Sequence, residues 1–535
     1  MMSPGRPTSS NGNVVVVGGG WAGFGAAKHL AETGYNVTLI DAAPNPGGLS
    51  AGWRTPQGRA VEAGIKGFWY QYHNIFALVR ELGIENPFTD WTTSGFWSPQ
   101  GLTTEAPVFS RRPQLPTMLG QFVHTLPLFR RLSLADRATM VPLLAAVVDF
   151  DSSQATYEQY DSMTAKELFQ KFGVSKALYE EFLRPLLLVG LFAPPEELSA
   201  AAVLGTFYFY TLAHQNDFDV CWARGSVSEL LFAPLVEHIG RAGGNIVGGR
   251  LVSDLRLDQA TGAVSAVVSR DREGNETVHE ADAVVFAIGI TVSLKIIRAN
   301  NSVVHAGMQK LVSACPVLAS REEFRRINNL HSIDCISTRL WFDRRVSTQF
   351  PANVLGKGFE DATGGTFFNL NDLQDEYRDE PGSVIAADFY HSNALMAMTD
   401  ADIVARVHKN LCICEPGFSG AKVVDSAVLK FPKAVTHFSA GSYSSRPLQT
   451  TSFPNVFMAG DWVKGVPHGA NGLSQERAYV TGLRAANMVV DQLGSGIHAS
   501  ILPVEPDEPY IAALKGTAKT IKSGLESLGI CSPFL

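Results

Sequence analysis

Residues 14–17 (VVVV) are an unbroken β-branched run after a polar start, short enough for a strand buried on both faces. Gly18, Gly20 and Gly23 follow at GxGxxG spacing, and residues 22–32 then place Ala26, Ala27 and Leu30 on one helical face. Gly34 stops that helix, and residues 36–40 read as a second strand ending in Asp41. Strand, glycine turn, helix, strand and terminal acid in this order predict a parallel βαβ unit that holds a dinucleotide. Gly18 permits the tight turn, Gly20 lets the backbone approach a pyrophosphate, and Gly23 lets helix and strand pack closely. The helix N-terminus presents unpaired N–H groups to the phosphates, and Asp41 accepts hydrogen bonds from a ribose.

Further along, residues 61–64 read as a short strand into a glycine turn, and residues 73–82 as a helix closed by Gly83. Phe68, Trp69, Tyr70 and Tyr72 form a dense aromatic group, either a packed core or the wall of a cavity. Residues 115–129 are strongly apolar, Arg130 and Arg131 interrupt, and Ser133 with Asp136 offers a capping box to a second apolar helix running to Val148. Neither half is long enough to span a bilayer. The pattern suits a surface that dips into the lipid boundary, with a helical subdomain folded on itself as the alternative.

Residues 163–172 place Ala165, Leu168, Phe169 and Phe172 on one face, a further helix covers 175–188, and Pro194-Pro195 ends the run. The aromatic segment 207–212 lines a core or a long apolar pocket. Residues 225–239 read as a helix, and the strand around Val252 is expected to return to the first sheet. Strands at 263–269 and 276–280 follow, and 283–289 is a buried strand returning to the same sheet. In the less patterned stretch 300–440, residues 337–342 and 384–389 read as strands and 401–411 as a helix. Residues 455–461 form a strand ending in Gly460-Asp461, and a helix runs from Ser474 to Leu493. Finally, residues 510–528 carry Ile511, Leu514, Ala518, Ile521, Leu525 and Leu528 on one stripe, an amphipathic helix expected to dock on the domain or, alternatively, to lie on lipid.

At 535 residues, 45% hydrophobic and 18% charged, the chain has material for two or three domains with a large core. A net charge of −7 argues against a nucleic-acid partner. Six scattered cysteines make no disulfide framework, and Cys412-x-Cys414 has no partner pair at zinc spacing. His391, His408 and His437 lack metal-ligand spacing, so no metal is expected. The first twelve residues are polar and of disordered character, with no signal or transit peptide visible.

The Gly47-Gly48 doublet after Asp41, together with the C-terminal Gly460-Asp461 segment, points to FAD rather than NAD. The helix beginning at Ser474 then faces the flavin's pyrimidine carbonyl, where helix N–H groups stabilise the negative charge of reduced flavin, and Asp461 holds a ribityl hydroxyl.

The segments VVVVGGGWAGFGAAKHLAETGYNVTLIDA with PGGLS, VEAGIKGFWYQYHNIF, and FMAGDWV with SQERAYVTGLRAAN resemble the FAD-dependent amine oxidase and carotenoid desaturase superfamily. The segment TAKELFQKFGVSKALYEEFLRPLLLVGLFAPPEELSA resembles its desaturase branch. The resemblance implies an α/β flavoprotein of two-dinucleotide-binding-domain type, with a Rossmann-like FAD domain, a substrate domain and a helical membrane-facing insert. Its divisions would be a disordered 1–12, FAD-binding segments 13–106, 216–300 and 441–495, an insert 107–215, a substrate domain 301–440 and an amphipathic tail 496–535. Implied FAD contacts are Gly18, Gly20, Gly23, Asp41, Gly47, Gly48, Leu49, Gly64, Val252, Gly460, Asp461, Ser474 and Gln475. Three features depart from the family: Leu49 stands where an arginine is frequent, Asp41 where a glutamate is frequent, and Gln475-Glu-Arg-Ala478 replaces the MEGA-type sequence of phytoene desaturases.

The implied activity is hydride removal from an allylic C–H of a long polyene to flavin N5 with loss of a neighbouring proton. His468, Lys66 and Glu62 are the candidate proton acceptors. Alternatives are a redox-neutral isomerase of a polyene or polyunsaturated fatty acid, an amine oxidase using aromatics such as Trp462, Tyr443 and Tyr479, and a binding protein with FAD as a structural ligand. The implied partners are an apolar small molecule, a plastid or bacterial membrane surface, and quinone or oxygen as electron acceptor.

Overall fold

A computed structural model describes residues 10–55, 57–150, 153–291, 307–360 and 362–527. Leu528, Cys531 and residues 1–9 of the polar N-terminus lie outside the described residues. Strand β1 (Asn13–Val17), helix α1 (Trp21–Glu32) and strand β2 (Asn36–Ile40) form the βαβ unit that the glycine spacing predicts. Around β1 a five-stranded parallel sheet assembles, in the order Val456–Met458, Ala283–Phe286, β1, β2, Asn245–Val247. Both faces of β1 are covered: Val14 and Val16 join the core beneath α1, while Val15 and Val17 pack against Ile40, Phe286 and Met458. That two-sided burial is why β1 is continuously apolar rather than alternating.

The helix Gln475–Leu493 lies directly on α1. Its approach is close enough that a Cβ placed on Gly482 would stand 2.0 Å from the Ala22 carbonyl oxygen. This contact fixes the start of one helix beside the start of the other, and Trp21 Nε1 donates to Gln475 Oε1 at 3.0 Å across the junction.

A second sheet of seven strands stands opposite, in the order Val423–His437, His331–Phe342, Val384–Tyr390, Gly364–Asn369, Ala352–Leu355, Ser94–Ser98, Gly101–Ala106. All neighbours are antiparallel except the parallel pair Ala352–Leu355 and Ser94–Ser98. The strand expected at 337–342 is in fact twelve residues, beginning at His331. The last two strands of the expected first FAD segment, 94–98 and 101–106, belong to this sheet instead.

Helices Thr117–Thr125, Leu134–Ala138 and Met140–Asp149 occupy the predicted apolar region, and Ser133 and Asp136 form the capping box. The helix in 115–129 is shorter than its hydrophobic run because Pro116 precedes it and Pro127 follows.

Other expectations change. Val252 does not return to the parallel sheet: Asn245–Val247 takes that edge, and Leu251–Leu257 opens a separate antiparallel sheet with Val264–Arg270 and Glu276–Glu280. The turn at Gly248-Gly249 separates the two, and Gly249 has φ +74. The helix expected at 225–239 starts as a π-helical turn, Ser228–Phe232, before Ala233–Arg241, because Pro234 has no N–H to donate. The C-terminal helix Pro509–Ser527 docks through the fully buried Ile511 and packs on Met140–Asp149, but Leu514 and Ile521 are exposed. Its first turns hold it to the domain, with the Tyr510 hydroxyl accepting from the Thr117 amide and Lys515 lying over the Tyr208 ring.

Candidate functional site

A cavity of about 490 Å³ opens between the carboxyl ends of the parallel strands and one face of the seven-stranded sheet. This is where ligands of open α/β sheets sit, because loops leaving adjacent strands diverge there. Val17, Gly18, Gly20, Ile40 and Asp41 line one end, and Ala287, Gly460 and Asp461 bring in the loops after two neighbouring strands. Gly47, Gly48 and Leu49 pass over them. Gly20 and Gly48 face each other so closely that a Cβ on Gly48 would stand 3.2 Å from the Gly20 Cα. Two bare backbones with the N-terminus of α1 between them make a cradle fitted to a pyrophosphate.

Asp41, expected on a ribose, is held by its own loops: Oδ2 accepts from Gly19 N–H at 2.6 Å and Oδ1 from Ala43 N–H at 2.7 Å. Gly23 does not line the cavity; it packs against the Gly18 carbonyl and keeps α1 close to β1. Val252 lines the cavity from its own antiparallel sheet, and Gly64, Ser474 and Gln475 line it as well. Ser474 is the N-cap of its helix, its Oγ accepting from Arg477 N–H. Burial pushes the Asp461 carboxyl up to about 6, with Arg477 and Arg446 opposing that rise.

The three candidate proton acceptors separate. His468 is buried away from the cavity, and its Nε2 donates to the Leu502 carbonyl at 2.8 Å; burial pushes its pKa down. Glu62 lies behind the cavity wall, where Oε2 accepts from Val227 N–H at 3.1 Å and burial pushes its carboxyl up. Neither lines the cavity. Lys66 does line it, but Nζ donates to the Ala63 and Gly64 carbonyls, and burial lowers its pKa.

The aromatic group divides: Phe68 is fully buried in the core under α1, while Trp69 and Tyr72 form cavity wall. Of the aromatics considered for an amine site, Trp462 reaches the cavity, whereas Tyr443 stacks on Tyr157 at 4.0 Å and Tyr479 packs against Trp21. Among the described residues no group of three or more His, Cys, Asp or Glu is arranged to hold a metal ion.

Sequence reasoning missed two sets of residues. Arg477 is fully buried, and its guanidinium donates to the carbonyls of Asp461, Val463, Val466 and His468, pinning the loop beneath the cavity. Burial lowers it to about 9. Nothing about an arginine in a surface-like QERA sequence marks it as interior. On the opposite wall, Ser337, Thr366, Asp388 and Tyr390 project from the seven-stranded sheet into the cavity lining. Here a signal existed: Val384–Tyr390 is VIAADFY, and a lone Asp within a buried strand is costly enough to ask for a reason.

Beyond Phe207 the cavity meets a second chamber of about 180 Å³ that shares Phe96, Leu186, Phe207, Thr211 and Phe218 with it. This chamber is walled by Phe122, Leu126, Phe129 and Leu144 of the apolar helices.

The sequence profile of the family described as flavin containing amine oxidoreductase matches residues 21–490. The chain belongs to that family. FAD is therefore its cofactor, and the protein is an FAD-dependent oxidoreductase of mixed α/β fold. Among curated relatives, this flavoprotein is 26% identical over 457 residues to a 15-cis-phytoene desaturase of an Oncidium hybrid cultivar, covering 84% of this chain and 74% of the relative. It is 24% identical over 496 residues to a probable zeta-carotene desaturase of Synechococcus elongatus, covering 89% and 98%. Solved structures sharing the fold include cyclohexylamine oxidase from Brevibacterium oxydans, at TM-score 0.60 and 15% identity with 90% of this chain and 99% of that chain covered. A putrescine oxidase matches at TM-score 0.60 and 13% identity, again covering 90% and 99%.

Proposed function

We propose that this flavoprotein desaturates a long polyene that enters from a membrane surface. The observation that carries the reading is the apolar chamber beneath Phe122, which borders the cavity through the shared walls of Phe96, Leu186, Phe207 and Phe218. The apolar helices expose Leu119, Phe122, Leu134 and Val141, of which Phe122 also walls the chamber, and the C-terminal helix, which packs on Met140–Asp149, exposes Leu514 and Ile521. Phe122, Leu134 and Ile521 are 46%, 69% and 58% exposed. Large apolar side chains exposed on these helices favour a lipid boundary over water. Among the described residues, no helix is long and apolar enough to cross a membrane, so the contact we propose is peripheral. The curated relatives named for phytoene and zeta-carotene desaturation agree with an apolar polyene as substrate.

In this reading Gly18, Gly20, Gly47, Gly48 and Leu49 cradle the pyrophosphate, while Asp461, Ser474 and Gln475 meet the flavin half of FAD. The cofactor supplies acceptance of the hydride lost from an allylic C–H. The chain's own part is to exclude water and orient: a hydrocarbon has no polar handle, so placement rests on shape, with Trp69, Tyr210 and Phe218 stacking edge-on as a rigid wall. Lys66, its N–H groups already directed at the Ala63 and Gly64 carbonyls, ties the wall together at that turn rather than acting as a base.

The test is anaerobic mixing of the FAD-loaded protein with a carotene series in liposomes. Stoichiometric bleaching of the flavin with a red-shifted polyene supports desaturation. A polyene altered while the flavin stays oxidised signals isomerisation, and bleaching by small amines alone would make the protein an amine oxidase.

A further inference from the structure

The cavity wall facing the glycine cradle is not uniformly apolar. Ser337, Asp388 and Thr366 sit side by side on three adjacent strands, since Asp388 is in register with both of the others. Tyr390, two residues on from Asp388, shares their face, and its hydroxyl meets Thr366 Oγ1 at 3.0 Å. All four line the cavity. Asp388 is 3% exposed; Ser337 Oγ donates to its Oδ1, and its Oδ2 has no hydrogen-bond partner. The Ile65 amide and the Tyr390 hydroxyl both act on the carboxyl, yet Oδ2 is left without a partner in bonding geometry. Gly64 packs against this oxygen, since a Cβ there would stand 3.2 Å from Oδ2.

A buried carboxyl oxygen without a partner is costly, and a hydrocarbon substrate does nothing to relieve it. We propose that the row Ser337, Asp388, Thr366 and Tyr390 is a recognition site for a hydroxyl group on the apolar substrate. This deepens the polyene reading and rests on it.

The choice of a hydroxyl follows from the surroundings. Lys66 and Arg339 are the basic groups that act on Asp388, and both already direct donors at neighbouring carbonyls, so an incoming ammonium would add a further donor to a crowded set. A substrate carboxylate would be repelled by Asp388 itself. Burial pushes the Asp388 carboxyl up, towards the protonated form, while Ser337, Lys66 and Arg339 oppose the shift. A hydroxyl both donates and accepts, so it satisfies Oδ2 in either protonation state. A carbonyl serves only the protonated form and an ammonium only the ionised one.

The experiment uses the FAD-loaded protein in detergent micelles and follows binding through flavin fluorescence, without turnover. Two pairs are compared: a carotene hydrocarbon against its mono-hydroxylated counterpart, and a long-chain alkane against the corresponding primary alcohol. The expected result is that the hydroxylated member of each pair binds about tenfold to hundredfold more tightly, the range for one hydrogen bond to a charged group. Asp388→Leu abolishes the difference within each pair, and Thr366→Val, which leaves the carboxyl alone, narrows it. Equal binding within both pairs by the wild-type protein overturns the hydroxyl site and leaves the polyene reading standing. Discrimination for the alcohol pair with no binding of either carotene supports the hydroxyl site and overturns the polyene reading.

Discussion

The contact between α1 and the helix Gln475–Leu493 offers a test in which two physical effects have opposite signs. Replacing a helix-interior glycine by alanine stabilises by about 1 kcal/mol on helix propensity alone. At Gly482, however, the added Cβ would stand 2.0 Å from the Ala22 carbonyl oxygen and 2.9 Å from its carbon. Real Cβ contacts do not fall below about 3 Å, so the helices must separate by about 1 Å, and overpacking of this kind costs about 1–3 kcal/mol, occasionally more. The separation also moves Gln475 off Trp21 Nε1, a bond of 3.0 Å that joins the two helix starts bordering the cavity. The net destabilisation is then up to about 2 kcal/mol, so Gly482→Ala is expected to lower the melting temperature by up to about 8 °C, at the 2–4 °C per kcal/mol of larger domains, and to weaken FAD binding measured by flavin fluorescence. The control is Gly516→Ala in the C-terminal helix, where nothing lies within 4 Å of the new Cβ. That variant should be neutral or slightly stabilised. If Gly482→Ala matched it, the close packing of the two helices would be refuted.

Other outcomes follow from the same geometry. Gly48→Val places a branched side chain at φ +54 against Gly20, so the purified protein should emerge without its yellow flavin while keeping its far-UV dichroism. Glu476 is buried and its carboxyl is pushed up to about 7, although Asn74 and the Ile75 amide donate to it. A carboxyl raised in the folded state contributes stability that is lost as pH climbs from its unfolded value, near 4.5, through about 7. At 1.36 kcal/mol per unit that is about 3 kcal/mol. Denaturant melts of the wild type should weaken by about that much between pH 4.5 and 8 relative to Glu476→Gln, and parallel profiles would contradict the assignment. Phe122→Asp combined with Ile521→Asp should cut co-sedimentation with liposomes several-fold while the protein stays folded and FAD-loaded, and unchanged sedimentation would remove the lipid-facing surface.

The βαβ unit was legible because every one of its features is local: a strand buried on both faces must be continuously apolar, and a phosphate turn must be built from glycine. The same holds for the strand Ala283–Phe286 and for the N-cap at Ser474, whose signals lie within a few residues of the structure they specify. The seven-stranded sheet was largely illegible, since it joins residues 94–106 to residues 331–437 and no local pattern announces which distant strand will be a neighbour. Val252 shows the limit from the other side: its strand was readable, but its sheet depended on a turn at Gly248-Gly249 that redirects the chain.

What the sequence determined by itself was the cofactor and its cradle, because phosphate recognition by backbone depends on glycine spacing that any chain must spell out in order. What only the tertiary structure decided was the substrate side. It separated Lys66, which meets the cavity, from Glu62 and His468, which do not, because a side chain's access to a cavity is set by packing across elements far apart in sequence. It also brought Asp388 opposite Lys66 across more than three hundred residues of chain, and turned an arginine in a polar-looking helix start into the buried clasp of the flavin-side loop.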